Sequence, residues 1–327
     1  MIVLVAFVES PKAWTLPPRF LDDLRRDFPQ HTFLEAWDRE ALERHLPSAE
    51  VAFTAAIDRR RFDSLPRLRW VQSSAAGVGG MLGPALASSP IVLTSARGIR
   101  ATSIAEHVLG VTIALSRQLH VAIRRQAAHL WAFDEIEGGG LVRSLGGRRM
   151  TIVGLGAIGL EVARLAAPFG LRLSAIRRRP DLPSPDYVEE VSSLDRLPDR
   201  LATSDVVVLC AALTPETRHL IDRRALAAIR PGALLVNVGR GRLLDEEAVI
   251  EALGDGRLGG AALDVFAEEP LDPASPYWDL PNVIVTPHVS GAMGDYWTPL
   301  VALFAENLRR FEAGQPLLNV VDKTAGY

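Results

Sequence analysis

Three segments of this chain finish an apolar run on residues able to do polar chemistry: NVGRG with Arg240, DVFAEEP with Asp264 and Glu269, and TPHVSG with His288. A histidine titrates near neutrality and can donate or accept a proton there. A carboxylate behind it, Glu269, would favour the imidazolium form at neutral pH. Arginine is permanently charged and fork-shaped, so Arg240 suits clamping a carboxylate and polarising a neighbouring oxygen. Glu268 adjoins Glu269, and spacing alone does not decide which of the two points inward. The plainer alternative for His288 is a loop histidine satisfied by a backbone carbonyl.

A fourth segment, TIVGLGAIGLEVARLAAPFG, sets Gly154, Gly156 and Gly159 in a G-x-G-x-x-G pattern between an apolar strand and an amphipathic helix. In that context the first glycine permits a tight turn, the second lets backbone approach a pyrophosphate, and the third allows close packing. The free N–H groups at the helix start, on Ala157 and Ile158, are the expected donors to the anion. The dinucleotide is distinguished at the end of the following strand, where an acidic residue would take a ribose 2′-hydroxyl. Arg177, Arg178 and Arg179 stand there instead. Arginines form charge-assisted bonds to a 2′-phosphate, so NADP(H) is the preferred cofactor, with NAD(H) possible. A solvated basic loop is the alternative.

Positioning these residues requires strands whose carboxyl ends converge. MTIVG, LRLSAI, DVVVLC, ALLVNV, GAALDVF and VIVTP are near-continuous apolar runs, the pattern of parallel strands covered on both faces. Upstream, IVLVAFV, VAFTA, LRWVQS and IVLTS alternate with helix-compatible stretches such as PPRFLDDLRRDF and DREALERHL, a second βα series. Between the two series, ATSIAEHVLGVTIALSRQLHVAIRRQAAHLW has apolar periodicity and no proline, which predicts one long helix from Ala101, with Thr102 or Ser103 as N-cap. GGGLVRSLGGRR then interrupts regular structure. A last helix is predicted over about 296–313, ending at Gly314.

The reading is thus α/β, with two Rossmann-like or flavodoxin-like parallel-sheet domains and a cleft between them. Residues 1–100 plus 290–327 form a discontinuous substrate domain, and residues 101–289 the dinucleotide domain. A chain of 327 residues has the length for two cores. With 48% hydrophobic and 23% charged residues, the composition excludes a disordered or fibrous class. A net charge of −3 offers no attraction to nucleic acid or to an anionic membrane surface. No apolar run reaches transmembrane length, and IVLVAFV, followed by Glu9 and Pro11, reads as a strand rather than a signal peptide. The one cysteine, Cys210 in VVVLC, reads as a buried strand-end thiol, and a cytoplasmic location is expected.

In order along the chain, GLGAIG, TPETRHLID, PGALLVNVGRGRLLDEEAVIEAL, GGAALDVFAEEPL and LPNVIVTPHVSG resemble the signature blocks of the D-isomer-specific 2-hydroxyacid dehydrogenases. SSAAGVG and SIAEHVLG upstream, and ENLRRFEAGQPLLNVVD near the end, extend the resemblance over nearly the whole chain. It implies Arg240, Glu269 and His288 as the catalytic set. It implies Asp264 near the nicotinamide, with Val238, Gly239 and Gly291 also contacting cofactor. The loop Ala75, Ala76, Gly77 and Val78 is implied as the cradle for a substrate carboxylate. The reaction implied is reduction of a small 2-oxo acid such as glyoxylate or hydroxypyruvate to the D-2-hydroxy acid, with His288 as proton donor and no metal. A homodimer is expected, with Trp131 either reaching a partner's site or anchoring the interface.

Three positions depart from the family pattern. Ala212 replaces a common proline, VGG lacks the acidic residue that often follows the valine, and Arg177 replaces the acidic ribose partner. Two other functions fit the same blocks: a corepressor-like protein that senses NAD(P)(H), and a family dehydrogenase for another acid, such as phosphoglycerate or an aromatic 2-oxo acid. Tyr296 and Trp297 could shape a larger pocket or pack the closing helix.

Overall fold

A computed structural model describes residues 1–8, 15–55, 57–139 and 142–326 of the chain. Glu9, Pro11, Gly140 and Leu141 of the readings above lie outside them. The chain divides into two compact units, Met1–Ile99 with Met293–Tyr327, and Arg100–Ala292.

The first unit is built on a parallel sheet of β1 (Ile2–Ala6), β2 (Thr32–Ala36), β3 (Val51–Thr54), β4 (Trp70–Ser73) and β5 (Val92–Thr94), in the order β2-β1-β3-β4-β5. Alternate residues of β1 enter opposite layers. Val3 and Val5 join one core cluster with Phe53, Trp70 and the C-terminal helix Trp297–Glu312, while Leu4 and Ala6 join the other. In that helix Phe304 stacks on Phe53 at 4.5 Å and on Trp70 at 5.3 Å. Tyr296 and Trp297 are buried in the same cluster, Trp297 edge-on to Phe7, so both pack the core. Strand β2 was not recognised in the sequence. It lies at the sheet edge and its TFLEA run is only partly buried, which weakens the apolar signal.

The second unit carries seven parallel strands: β6 (Arg149–Val153), β7 (Arg172–Ile176), β8 (Val188–Ser192), β9 (Val206–Leu209), β10 (Ala233–Asn237), β11 (Leu258–Leu263) and β12 (Val283–Val285). Their order, β12-β11-β10-β9-β6-β7-β8, reverses direction between β6 and β9, the switch point where such sheets bind ligands. Val206 and Val208 face one core, Val207 and Leu209 the other. The edge strand β8, VEEVS, carries two glutamates outward and was also missed.

The predicted long helix is two helices, Ala101–Ser116 and Leu119–Ala127. Gln118 between them adopts a left-handed φ of 57°. Beyond the break the buried ring of His120 contacts Ala114 O at 3.3 Å, and Arg124 donates to the carbonyls of Leu280, Pro281 and Val283. The Arg124 contacts reach residues more than 150 positions away and hold the second helix in its own direction, and local periodicity carries no trace of them. The return to the first unit falls after Ala292, a few residues beyond the expected point. The loop that follows β12 is tied to the second unit by Val289 and Ser290, as described below.

Candidate active site

After β6 the chain turns at Gly154, whose φ is +104°. A Cβ there would lie 2.6 Å from Ala211 N, just past β9, so both conformation and space demand glycine. At Gly159 a Cβ would meet Gly154 O at 2.1 Å, whereas at Gly156 it would meet nothing within 4 Å. The middle glycine therefore faces open space, and the outer two close the turn against the helix Ala157–Ala166. No side chain caps that helix, which leaves the N–H groups of Ala157 and Ile158 for an anion. This cradle fits a dinucleotide pyrophosphate. Cys210 beside it donates its thiol to Gly154 O at 3.3 Å, and burial pushes that thiol up to about 12, an inert structural group.

Strand β7 pairs with β6, and Gly154 N–H donates to Ile176 O at 2.8 Å, so the arginine loop begins beside the glycine turn. Arg177 points its guanidinium at the carbonyls of Pro180, Leu182 and Pro183, folding its own loop. Arg178 is exposed, and its charge helps hold Glu216 below the usual carboxylate range, behind hydrogen bonds from Thr214 and from the Glu216 backbone.

The other strand ends form a second group. Strand β10 ends on fully buried Asn237, whose side chain accepts from Gly239 N–H and donates to Arg240 O, both at 3.0 Å. Val238 is buried behind this turn, and exposed Arg240 donates to Gly239 O at 2.6 Å. A Cβ on Gly241 would lie 1.8 Å from the backbone of Phe266, so the arginine turn crosses directly over the loop that follows β11. In that loop Glu269 accepts from Phe266 N–H through Oε1 and faces His288 Nδ1 through Oε2 at 2.7 Å. Glu268 is exposed and has no such role, which resolves the choice that spacing left open.

His288 adopts φ +54°, unusual for a non-glycine residue. Asp264, only 1% exposed, holds it there: the Asp264 carbonyl accepts His288 N–H at 2.9 Å, and its carboxylate accepts from Thr286 Oγ1 (2.6 Å), Val289 N (2.9 Å) and Ser290 N (3.0 Å). Asp264 thus organises the histidine loop. Gly291 follows, with space for a Cβ limited by the Arg100 side chain at 3.0 Å. Because the Glu269 carboxylate accepts a hydrogen bond from Nδ1–H of His288, Nε2 is the ring nitrogen left for a ligand. The His288 side chain is 53% exposed, so its pairing with Glu269 contributes little to stability. The histidine loop thus presents an exposed imidazole oriented by Glu269 just past the end of β12.

Sequence reasoning passed over Asn237, Thr286 and Glu246; the last accepts Ala267 N–H at 2.9 Å and steadies the Glu269 loop. The only local signal was a polar residue closing an apolar strand, as Asn237 does in ALLVN. Ala75, Ala76, Gly77 and Val78 follow β4 in the first unit, where Ala75 N–H donates to Ser73 Oγ at 3.0 Å and Val78 is buried.

The family model for the D-isomer-specific 2-hydroxyacid dehydrogenase NAD-binding domain matches residues 109–290. A glyoxylate/hydroxypyruvate reductase B of Pectobacterium carotovorum is 31% identical over 311 residues, 93% of this chain and 96% of that protein. A hydroxyphenylpyruvate reductase of Plectranthus scutellarioides is 32% identical over 267 residues, 82% of each. Among solved structures, the NADPH-dependent glyoxylate/hydroxypyruvate reductase of Sinorhizobium meliloti, in complex with NADP and sulfate, superposes with a TM-score of 0.83 at 28% identity, covering 100% of both chains.

Proposed function

This chain belongs to the D-isomer-specific 2-hydroxyacid dehydrogenase family, and on that premise we propose that it reduces a small 2-oxo acid to the D-2-hydroxy acid with NADPH. The 2.7 Å contact between His288 Nδ1 and Glu269 Oε2 carries the reading. The bound nicotinamide would supply hydride to C2 of the acid. His288 donates the Nε2 proton to the oxygen on which negative charge develops, and Glu269 holds the ring oriented and favours its protonated form. Arg240 binds the substrate carboxylate and polarises the oxo group. Gly154, Gly156, Gly159, Ala157 and Ile158 hold the pyrophosphate, with Val238, Gly239 and Gly291 lining the way to the nicotinamide and Asp264 acting behind them as the buried anchor of the His288 loop.

The arginine charge beside the glycine turn supports NADPH. Arg177 shapes the loop through its hydrogen bonds to the carbonyls of Pro180 and Pro183, and exposed Arg178, beside Glu216, adds positive charge to the same loop. Glyoxylate and hydroxypyruvate are the favoured substrates, and an aromatic acid is the next choice, since the Plectranthus relative is named for hydroxyphenylpyruvate. A panel of 2-oxo acids assayed with both cofactors tests the whole reading. NADPH-dependent turnover of the small acids, with kcat/KM at least about tenfold higher than for NADH, is the expected result. No turnover of any acid would sink it.

The enzyme is proposed to work as a homodimer. Leu119, Ile123, Leu130, Trp131 (93% exposed) and Phe133 leave an apolar stretch uncovered on and after the helix Leu119–Ala127. Exposure of this kind marks an interface, and Arg125 pairs with Glu135 to hold the stretch in shape. Light scattering should give twice the chain mass, and Trp131→Glu should halve it. Among the described residues no helix is long and apolar enough to cross a membrane.

A further inference from the structure

We propose that His107 is a positioning residue for the His288 loop, donating an N–H from Nε2 to Thr286 and through it fixing the Asp264 carboxylate. The inference deepens the proposed reaction and rests on His288 as its proton donor. His107 sits on the helix Ala101–Ser116, half-buried, with Nε2 3.3 Å from Thr286 Oγ1. All the groups concerned lie in the second unit.

Counting protons gives the direction of each bond. Asp264 is surrounded by donors: Thr286 Oγ1 and Val289 N reach Oδ1, and Ser290 N reaches Oδ2, so the carboxylate accepts throughout. The Thr286 hydroxyl has one proton, and the 2.6 Å contact with Asp264 uses it. Its contact with His107 must therefore be satisfied by an N–H on Nε2. Burial holds the His107 pKa below the ordinary histidine value, with the Asp264 charge opposing. The ring is then neutral near pH 7.5, with its proton on Nε2. The chain His107 to Thr286 to Asp264 ends on the residue whose carbonyl and carboxylate bind His288, Val289 and Ser290. Losing its first link leaves the Thr286 hydroxyl held by Asp264 alone and loosens the loop that aims the imidazole.

Two measurements on the full chain test this. In a long-range 1H–15N spectrum at pH 7.5, His107 should be the Nε2-protonated neutral tautomer, and Thr286→Val should shift its resonances; a Nδ1-protonated His107, or no response to Thr286→Val, overturns the proposal. Kinetically, His107→Leu should lower kcat about tenfold, the worth of one hydrogen bond at the reacting geometry, while the NADPH KM moves less than about twofold. His107→Gln, which keeps an N–H donor, should recover most of kcat. Unchanged kcat in His107→Leu, or no recovery in His107→Gln, counts against the positioning role. If the native chain turns over no 2-oxo acid, the proposed reaction fails, and the tautomer alone then decides the His107 contact.

Discussion

The glycine turn after β6 and the histidine loop after β12 both place a residue at positive φ on the same sheet, Gly154 at +104° and His288 at +54°, by opposite means. Gly154 reaches that conformation at no steric cost, and the missing side chain is what lets the turn close on Ala211. At His288 the same kind of backbone carries a full side chain, which Glu269 orients. Its backbone costs about 1 kcal/mol or more, offset by hydrogen bonds to the Asp264 and Thr286 carbonyls and by the Asp264 carboxylate gathering its neighbours. A glycine serves where backbone must approach a ligand. A strained histidine needs a buried anchor.

The comparison breaks most sharply at the imidazole. His288→Ala should lower kcat by about a hundredfold to ten-thousandfold, the range of general acid catalysis, while NADPH binding followed by fluorescence stays near native; full activity would remove His288 from the reaction. On the glycine side the reverse holds. Gly154→Val adds a Cβ into Ala211 at a φ that valine avoids, so the thermal midpoint should fall and the NADPH Kd rise about a hundredfold, consistent with a few kcal/mol of strain. A native Kd in that variant would show that the turn has room to adjust. Asp264→Ala removes the anchor and keeps the imidazole, and kcat should fall about tenfold to a hundredfold with a smaller change in cofactor affinity. Equal losses in both would make Asp264 a cofactor contact rather than an anchor.

Smaller effects sharpen the same contrast. Arg178→Ala should cut the NADPH to NADH ratio of kcat/KM by about tenfold, and Arg177→Ala should affect both cofactors more evenly because it unfolds its loop; equal ratios in both variants would erase the division. Protonation gives the smallest signal. His107 has a depressed folded-state pKa, so the unfolded chain binds more protons and stability should fall as pH drops below the ordinary value of 6.5. His107→Gln should flatten that slope in urea titrations, and an unchanged slope would place the proton uptake elsewhere.

Much of this was legible from local patterns. Buried central strands such as ALLVN and VVVL announce themselves by unbroken apolar runs, because both faces of a parallel sheet are covered. The edge strands TFLEA and VEEVS did not, since one side of each meets solvent and tolerates glutamate. Gly154, Gly156 and Gly159 were readable because their requirement is steric and contained within a few residues.

The sequence by itself determined the two parallel sheets, the dinucleotide turn and the polar residues at the strand ends, all consequences of short-range periodicity and backbone sterics. Tertiary structure decided what spacing left open, that Glu269, the carboxylate the family resemblance implies, and not Glu268 reaches His288. Glu268 and Glu269 are neighbours in the same loop, and the choice follows from the path that Gly241 and Glu246 impose on it. It also decided that Asp264 anchors a loop 25 residues away at Val289, and that the predicted long helix breaks at Gln118. Such choices depend on contacts between residues far apart in the chain, and no local pattern encodes which distant partner a side chain will meet.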